Sequence, residues 1–143
     1  MDDCSFEGEI TVITGKMNWA GGILGFSNRD EVNHCSFSGE VTASGNGENR
    51  AGGIAGYSQK GVISGCSVAN TLVTASFGEG TAPSTQKNNF AGGVLGYSVN
   101  DEVSNCSSAG NIAASDGKDV VGSASGNIAG GVVGSTQNGG EVT

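Results

Sequence analysis

The chain has 143 residues, of which 27 are Gly, one is Pro and 14% are charged, and its formal net charge is −8. The single Pro without a strict glycine period excludes collagen, and the low charged content excludes a charged disordered tail. The acidic balance disfavours binding to nucleic acid and to anionic membranes, since phosphate is neutralised by basic surfaces. The low apolar and aromatic fractions, 36% and 6%, predict one domain over 1–143 with a narrow core of small residues.

Two short motifs recur in a fixed order along the chain, Cys-Ser and Ala-Gly-Gly. From each of the first three Ala-Gly-Gly triplets to the next cysteine is 15 residues, whereas the steps from cysteine to triplet are 16, 16, 25 and 23. The basic unit is therefore 31 residues long, and the later units carry insertions in one arm only. The predicted units span about 2–32, 33–63, 64–103 and 104–143.

Within each unit the pattern predicts strands and no helix. After the cysteine, apolar and polar residues alternate, as in CSFEGEITV and CSFSGEVTA, which is the period of a strand. The segments GGILGF, GGIAGY, GGVLGY and GGVVGS predict a second strand. A short third strand is expected in DEVNHCS, GVISGCS and DEVSNCS, and can merge with the first. Clusters of Gly, Asn and Asp between the strands predict turns.

A unit with two or three short strands cannot bury a face alone. Stacking equivalent strands in parallel, about 4.8 Å apart, predicts an all-β parallel β-solenoid of about four coils. Glycine would supply positive φ at the corners and allow close backbone approach across a thin core. A β-sandwich explains less, because it does not require the same residues at the same place in every unit.

The segments AGGILGFSNRDEVNHCSFSGEV, AGGIAGYSQKGVISGCSVANTL and AGGVLGYSVNDEVSNCSSAGNI resemble the GLUG repeat. That repeat has a Gly-Gly-aliphatic-aliphatic-Gly core, a polar turn, an aliphatic residue and a cysteine-containing strand. The resemblance covers nearly the whole chain and implies a bacterial surface or secreted protein, as in the non-catalytic part of IgA-specific metallopeptidases. The metallopeptidase chemistry does not carry over, because its zinc motif needs two histidines and this chain has only His34.

The cysteines and the paired glycines are the predicted structural ladder. Its members are Cys4, Cys35, Cys66, Cys106, Gly21, Gly22, Gly52, Gly53, Gly92, Gly93, Gly130 and Gly131. In parallel register the thiols form an inward column and act as small apolar residues. A disulfide and a metal site are weaker alternatives, since side chains in register point the same way and zinc needs ligands that converge. No catalytic residue, cofactor or metal site is predicted.

Three other groups of side chains are candidates for chemistry. His34 next to Cys35 suggests a nucleophile and base, but neighbours on a strand face opposite sides, so an exposed histidine is expected. Glu9 and Glu40, continued by Thr71 and Asn111, predict one outer column. Glu31 and Glu102, separated by Val62, predict another. A solvated face is expected for both columns, with calcium binding or acid/base catalysis as alternatives.

The aromatic residues recur on either side of the Ala-Gly-Gly triplet. They are Trp19, Phe26, Tyr57, Phe90 and Tyr97. A packed aromatic ladder is expected, and an exposed platform for sugars is the alternative.

Neither end of the sequence resembles a cap for the open edges of a solenoid. The chain is therefore expected to be an excerpt of a longer array or a subunit that stacks head to tail. The predicted function is a non-enzymatic structural or adhesive module of an extracellular or cell-surface protein. Its possible partners are its own copies and a host or cell-surface glycan or protein, but no nucleic acid and no membrane interior. The alternatives are a self-assembling fibre subunit and a carbohydrate-binding or polysaccharide-cleaving β-helix.

Overall fold

A computed structural model describes residues 1–14, 16–78, 88–115, 126–138 and 140–143. The described chain contains strands and no helix, and all strand pairs are parallel, so the predicted β-solenoid is confirmed. Most of the predicted insertion in the third unit, at 79–87, and the segment 116–125 of the fourth unit lie outside the described residues.

Each coil contains one long strand, two strands of five residues and one short strand. The first coil comprises β1 (Ser5–Thr14), β2 (Met17–Gly21), β3 (Leu24–Asn28) and β4 (Glu31–Asn33). The second comprises β5 (Ser36–Gly45), β6 (Glu48–Gly52), β7 (Ala55–Gln59) and β8 (Val62–Ser64). The third comprises β9 (Ser67–Ser76), β10 (Asn88–Gly92), β11 (Leu95–Val99) and β12 (Glu102–Ser104). The fourth comprises β13 (Ser107–Ser115), β14 (Gly126–Gly130), β15 (Val133–Gln137) and β16 (Glu141–Val142).

Equivalent strands stack into four parallel sheets, one for each side of the solenoid. Their strand orders are β1-β5-β9-β13, β2-β6-β10-β14, β3-β7-β11-β15 and β4-β8-β12-β16. The chain makes three turns between β1 and β13 and continues through β16. The four coils follow the order of the four predicted units.

Each coil has four strands rather than the predicted two or three, because the strand that ends at the first glycine of the triplet (β2, β6, β10, β14) was not predicted. The predicted third strand is therefore the fourth, and it does not merge with the long strand of the next coil. His34 and Asn105 adopt left-handed φ values of 53° and 51° between the two strands, and Gly65 has φ 60° at the same corner. The corner between the third and fourth strands is also left-handed, at Arg29, Lys60, Asn100 and Asn138. Non-glycine residues therefore make nearly all of the left-handed corners, contrary to the expectation that glycine supplies them.

The glycine excess reflects close backbone approach instead. A Cβ at Gly21 would overlap the carbonyl oxygen of Leu24, and the equivalent glycines at Gly52 and Gly92 meet the same obstacle. The second glycine of each of the first three triplets faces the next coil, so that a Cβ at Gly22 would overlap the carbonyl of Gly53. The paired glycines thus allow a corner within each coil and contact between successive coils.

Residues of neighbouring coils pair one to one along the long strands, except at one bulge. Ser38 pairs with Ala69, but Gly39 pairs with Thr71, so Asn70 is an extra residue in the third coil. Asn70 has a φ of 52°, as in many bulges.

The core is narrow and consists mainly of Val, Ala, Ile and Cys. The fully buried side chains include Val32, Val41, Ile54, Ile63 and Val73. All five lie in the second and third coils or directly beside them, because a residue in the middle of the stack is covered on both sides.

Candidate functional site

The four cysteines lie at the corner between each short strand and the next long strand. All four are free thiols, with Cys35 and Cys66 buried and Cys4 and Cys106 half-buried. Each thiol donates a hydrogen bond to the carbonyl oxygen two residues earlier, at sulfur–oxygen distances from 3.2 to 3.6 Å. The column is therefore a set of small side chains whose weak donors are used locally.

The pKa values of the thiols in the two middle coils differ from that of the thiol in the fourth coil. Burial raises the pKa of Cys35. The side-chain contact with Cys106, followed by burial, raises the pKa of Cys66. The side-chain contact with Cys66 lowers the pKa of Cys106 to about 7, against the effect of burial. The raised pKa values keep the two central thiols protonated, which makes them poor nucleophiles.

His34 and Cys35 do not form a catalytic pair. His34 is exposed at its left-handed corner, whereas Cys35 is in the core. No group of three or more His, Cys, Asp or Glu residues within the described ranges is arranged to hold a metal ion.

The acidic residues form two columns on different sheets. Glu9 and Glu40 are register partners in the first sheet, and each accepts a hydrogen bond from the threonine two residues later. The column continues with Leu72 and Asn111. The prediction that Thr71 continues this column is wrong, because the bulge at Asn70 moves the register by one residue.

The second acidic column has the predicted order and gains a fourth member. Glu31 pairs with Val62, Val62 with Glu102, and Glu102 with Glu141. Among the described side chains the only ion pair joins Arg50 to Glu48, so neither column has a basic partner there. This arrangement matches a solvated face better than a pair of catalytic carboxylates.

An asparagine ladder that was not predicted runs through all four coils, and its members are buried at Asn18, Asn49 and Asn89 and exposed at Asn127. The Nδ2 of Asn18 donates to the Oδ1 of Asn49 (2.7 Å), that of Asn49 to Asn89 (2.8 Å), and that of Asn89 to Asn127 (2.9 Å). Asn49 also donates to the carbonyl oxygens of residues 45 and 47. The signal was present in the sequence, because every unit reads Asn-x-Ala-Gly-Gly.

A second buried polar site surrounds Asp101, which is 3% exposed. Its Oδ2 accepts hydrogen bonds from the Ser98 hydroxyl (2.7 Å) and the Val99 amide (3.0 Å) of its own coil. Its Oδ1 accepts from the Ser58 hydroxyl (3.0 Å) and the Gly61 amide (2.7 Å) of the preceding coil. Four donors therefore satisfy this buried carboxylate, and it joins the second coil to the third.

The aromatic residues pack against one another and against an arginine. Trp19, Phe26 and Tyr57 have ring centroids 5.2 to 5.3 Å apart. The Arg50 guanidinium lies 4.4 Å from the Tyr57 centroid and 4.3 Å from that of Tyr97. Burial raises the pKa of Tyr97. Because ring faces are occupied by Arg50 and by neighbouring rings, the cluster is a packed ladder, and Phe26 at its end is 44% exposed.

The sequence matches no protein-family model, and no curated protein or solved structure is significantly similar to it. The GLUG resemblance therefore stays a prediction that depends on the repeated residues alone. In the described ranges no helix has the length and apolar character required to cross a membrane.

Proposed function

We propose that this chain is a non-enzymatic structural module of a bacterial surface or secreted protein, and that it serves as a stiff spacer or contact surface. The observation that carries the proposal is the continuity of the interior from coil to coil. The asparagine ladder crosses all three coil boundaries, and the Asp101 carboxylate links the two middle coils a second time.

Continuity of this kind favours stiffness. Sliding or bending one coil relative to the next would separate buried donors from buried acceptors, and each orphaned group costs about 1–3 kcal/mol. The four parallel sheets resist the same displacement, because each has its backbone hydrogen bonds along the stack.

The carbohydrate-cleaving alternative is less well supported. Its acid/base chemistry needs two carboxyl groups that face one substrate from different environments, whereas the register partners Glu9 and Glu40 have the same surroundings, each accepting a hydrogen bond from the threonine two residues later. Hydrolysis of a polysaccharide by the purified chain would contradict the proposal.

Single-molecule fluorescence with one dye at each terminus tests whether the two ends keep one short separation, as a stiff stack requires. A four-coil stack separates its ends by roughly 20 Å, whereas a flexible linker of the same length has a root-mean-square span of about 65 Å. We expect one narrow population with high transfer efficiency, and a Gly/Ser chain of equal length serves as the control. A broad distribution that overlaps the control would contradict a stiff module.

A further inference from the structure

Both ends of the stack leave the edge of the apolar core partly open. The half-buried core residues are Cys4, Ile10, Val12, Ile23 and Leu24 in the first coil and Cys106, Ile112, Ala114, Val132 and Val133 in the fourth. Their register partners in the middle coils, such as Val41 and Ala43, are fully buried. Each end of the stack therefore has a coil face without a neighbour, whereas the equivalent face of a middle coil is covered by the next coil.

We propose that the occupant of these faces is a second copy of the same chain, stacked head to tail. The fourth coil of one copy meets the first coil of the next and continues the four parallel ladders by strand addition. This inference rests on the proposed structural function and names its partner. Two independent features of the end coils carry it.

The first feature is that the carboxylate of Asp30 is an acceptor for which the fourth coil has matching donors. The Oδ2 of Asp30 accepts hydrogen bonds from the Ser27 hydroxyl (3.2 Å) and the Asn28 amide (3.1 Å) of its own coil. Asp101 uses its Oδ2 in the same way, and directs its Oδ1 to the preceding coil. Within the described residues no such coil lies before Asp30, which is exposed.

The fourth coil offers the donors that Asp30 lacks. Thr136 is the register partner of Ser98 and hence of Ser58, and Gly140 precedes Glu141 as Gly61 precedes Val62. Counted back from the short fourth strand, this position alternates between an acceptor, Asp30 or Asp101, and a glycine, Gly61 or Gly140. The Gly61 amide is a donor, and the fourth coil has one residue more than the others at this corner. A second copy on the fourth coil places Asp30 over Thr136 and Gly140, which repeats the contact of Asp101 with the second coil.

The second feature is Gly131. At the same place in the other coils, a Cβ on Gly22, Gly53 or Gly93 would overlap a carbonyl oxygen of the following coil. A Cβ on Gly131 would meet nothing within 4 Å. A coil that follows Gly131 would impose the same requirement for glycine, and the described chain contains no such coil.

Two residues must move for the copies to meet. Met1 and Asp2 pair beside β4, where the Met1 carbonyl accepts from the Asn33 amide (2.9 Å) and the Asp2 carboxylate from the Asn33 side chain (2.9 Å). In the stacked register Val142 and Thr143 of the preceding copy occupy that place. A cavity of about 440 Å³ beside it is lined by Met1, Leu24, Arg29, Asp30, Glu31 and Val32. The N-terminal dipeptide is therefore a competitor of the second copy.

A head-to-tail contact does not close on itself, so it produces an open filament. Each copy adds four coils, or a rise of roughly 19 Å.

Sedimentation velocity of the 143-residue chain at rising concentration, with electron microscopy of the concentrated sample, tests the proposal. Gly131→Val adds bulk to the open face, where a Cβ meets nothing of its own chain within 4 Å, so we expect an unchanged melting temperature and at least a tenfold weaker association. Thr136→Val removes one donor and should weaken association about three- to tenfold. Ala69→Leu adds comparable bulk to the exposed side of the third coil and is the matched control. Deletion of Met1 and Asp2 should strengthen association.

A chain that stays monomeric at several hundred micromolar, with and without the dipeptide, would overturn the proposal. So would association that Gly131→Val and Thr136→Val leave unchanged, because the contact would then lie on the sides of the solenoid. These outcomes are separate from the dye experiment, which is made on single molecules and reports only the stiffness of one copy.

Discussion

The middle coils and the end coils have nearly the same sequence pattern but different environments. Cys35 and Cys66 are buried and Cys4 and Cys106 are half-buried; Asp101 is buried and Asp30 is exposed. The difference arises because a repeat obtains half of its contacts from each neighbour. A residue's contribution to stability should therefore depend on the coil that contains it, and the same substitution in two coils measures that dependence.

The asparagine ladder should give the largest contrast. Asn49→Leu removes the ladder bonds to Asn18 and Asn89 and two bonds to backbone carbonyls. We expect the free energy of unfolding to fall by about 4 kcal/mol, because several buried groups lose their partners at once. Asn127→Leu breaks a ladder bond of an exposed side chain, whose groups water can reach, and should cost less than half as much. Urea unfolding in dilute solution measures both, and equal losses would contradict the role of position in the stack.

The glycine column should give the next contrast. Gly93→Ala forces a Cβ against the Gly131 carbonyl and the Ser108 hydroxyl, so we expect a loss of about 3 kcal/mol from overpacking. Gly131→Ala should change the free energy of unfolding by less than about 0.5 kcal/mol. Thermal unfolding of the two variants checks this pair. If Gly93→Ala is as stable as the parent chain, the close approach of the third and fourth coils is wrong.

The two aspartates should differ by a smaller amount. Asp101→Asn replaces an acceptor of four hydrogen bonds with an amide that must turn its NH₂ toward a donor, at a cost of about 2 kcal/mol. Asp30→Asn affects only the two bonds within its own coil and should cost less. Chemical denaturation compares them, and the reverse order would contradict the assignment of Asp101 as a link between coils.

The rate of thiol modification should differ between the middle coils and the end coils while the chain stays folded. At pH 8 we expect iodoacetamide to modify Cys4 and Cys106 rapidly, and Cys35 and Cys66 only when the chain unfolds, since they are buried. Mass spectrometry of the sites over time measures the four rates. Rapid modification of Cys66 in the folded chain would contradict its burial.

The raised pKa of Cys35 and Cys66 also sets a sign for pH dependence. Both thiols keep their protons in the folded chain at pH values where the unfolded chain has lost them. Their contribution to the free energy of unfolding is complete below pH about 9, the ordinary pKa, and declines as the pH rises above it. The double variant with Cys35→Ala and Cys66→Ala should lack this part of the decline.

The regular parts of the molecule follow from the sequence and the exceptions do not. Equal spacing of cysteines and Ala-Gly-Gly triplets predicted parallel strands in register, because equivalent residues can meet only if the coils have equal length. The same count failed at Thr71, since a single inserted residue, Asn70, is indistinguishable from its polar neighbours until the strands are paired. The asparagine ladder could have been predicted, since each of the four asparagines stands two residues before its triplet.

The sequence by itself determined the repeat, the β-strand character of each unit and the narrow core, because these depend on side-chain periodicity and on spacing along one chain. Only the tertiary structure decided which corners are left-handed, which carboxylate is buried and which glycine has no atom within 4 Å of its Cβ position. These properties depend on contacts between residues 31 to 43 positions apart, which no local pattern contains. The difference between Asp30 and Asp101 is the clearest case, because their local sequences are alike and the neighbouring coil alone separates them.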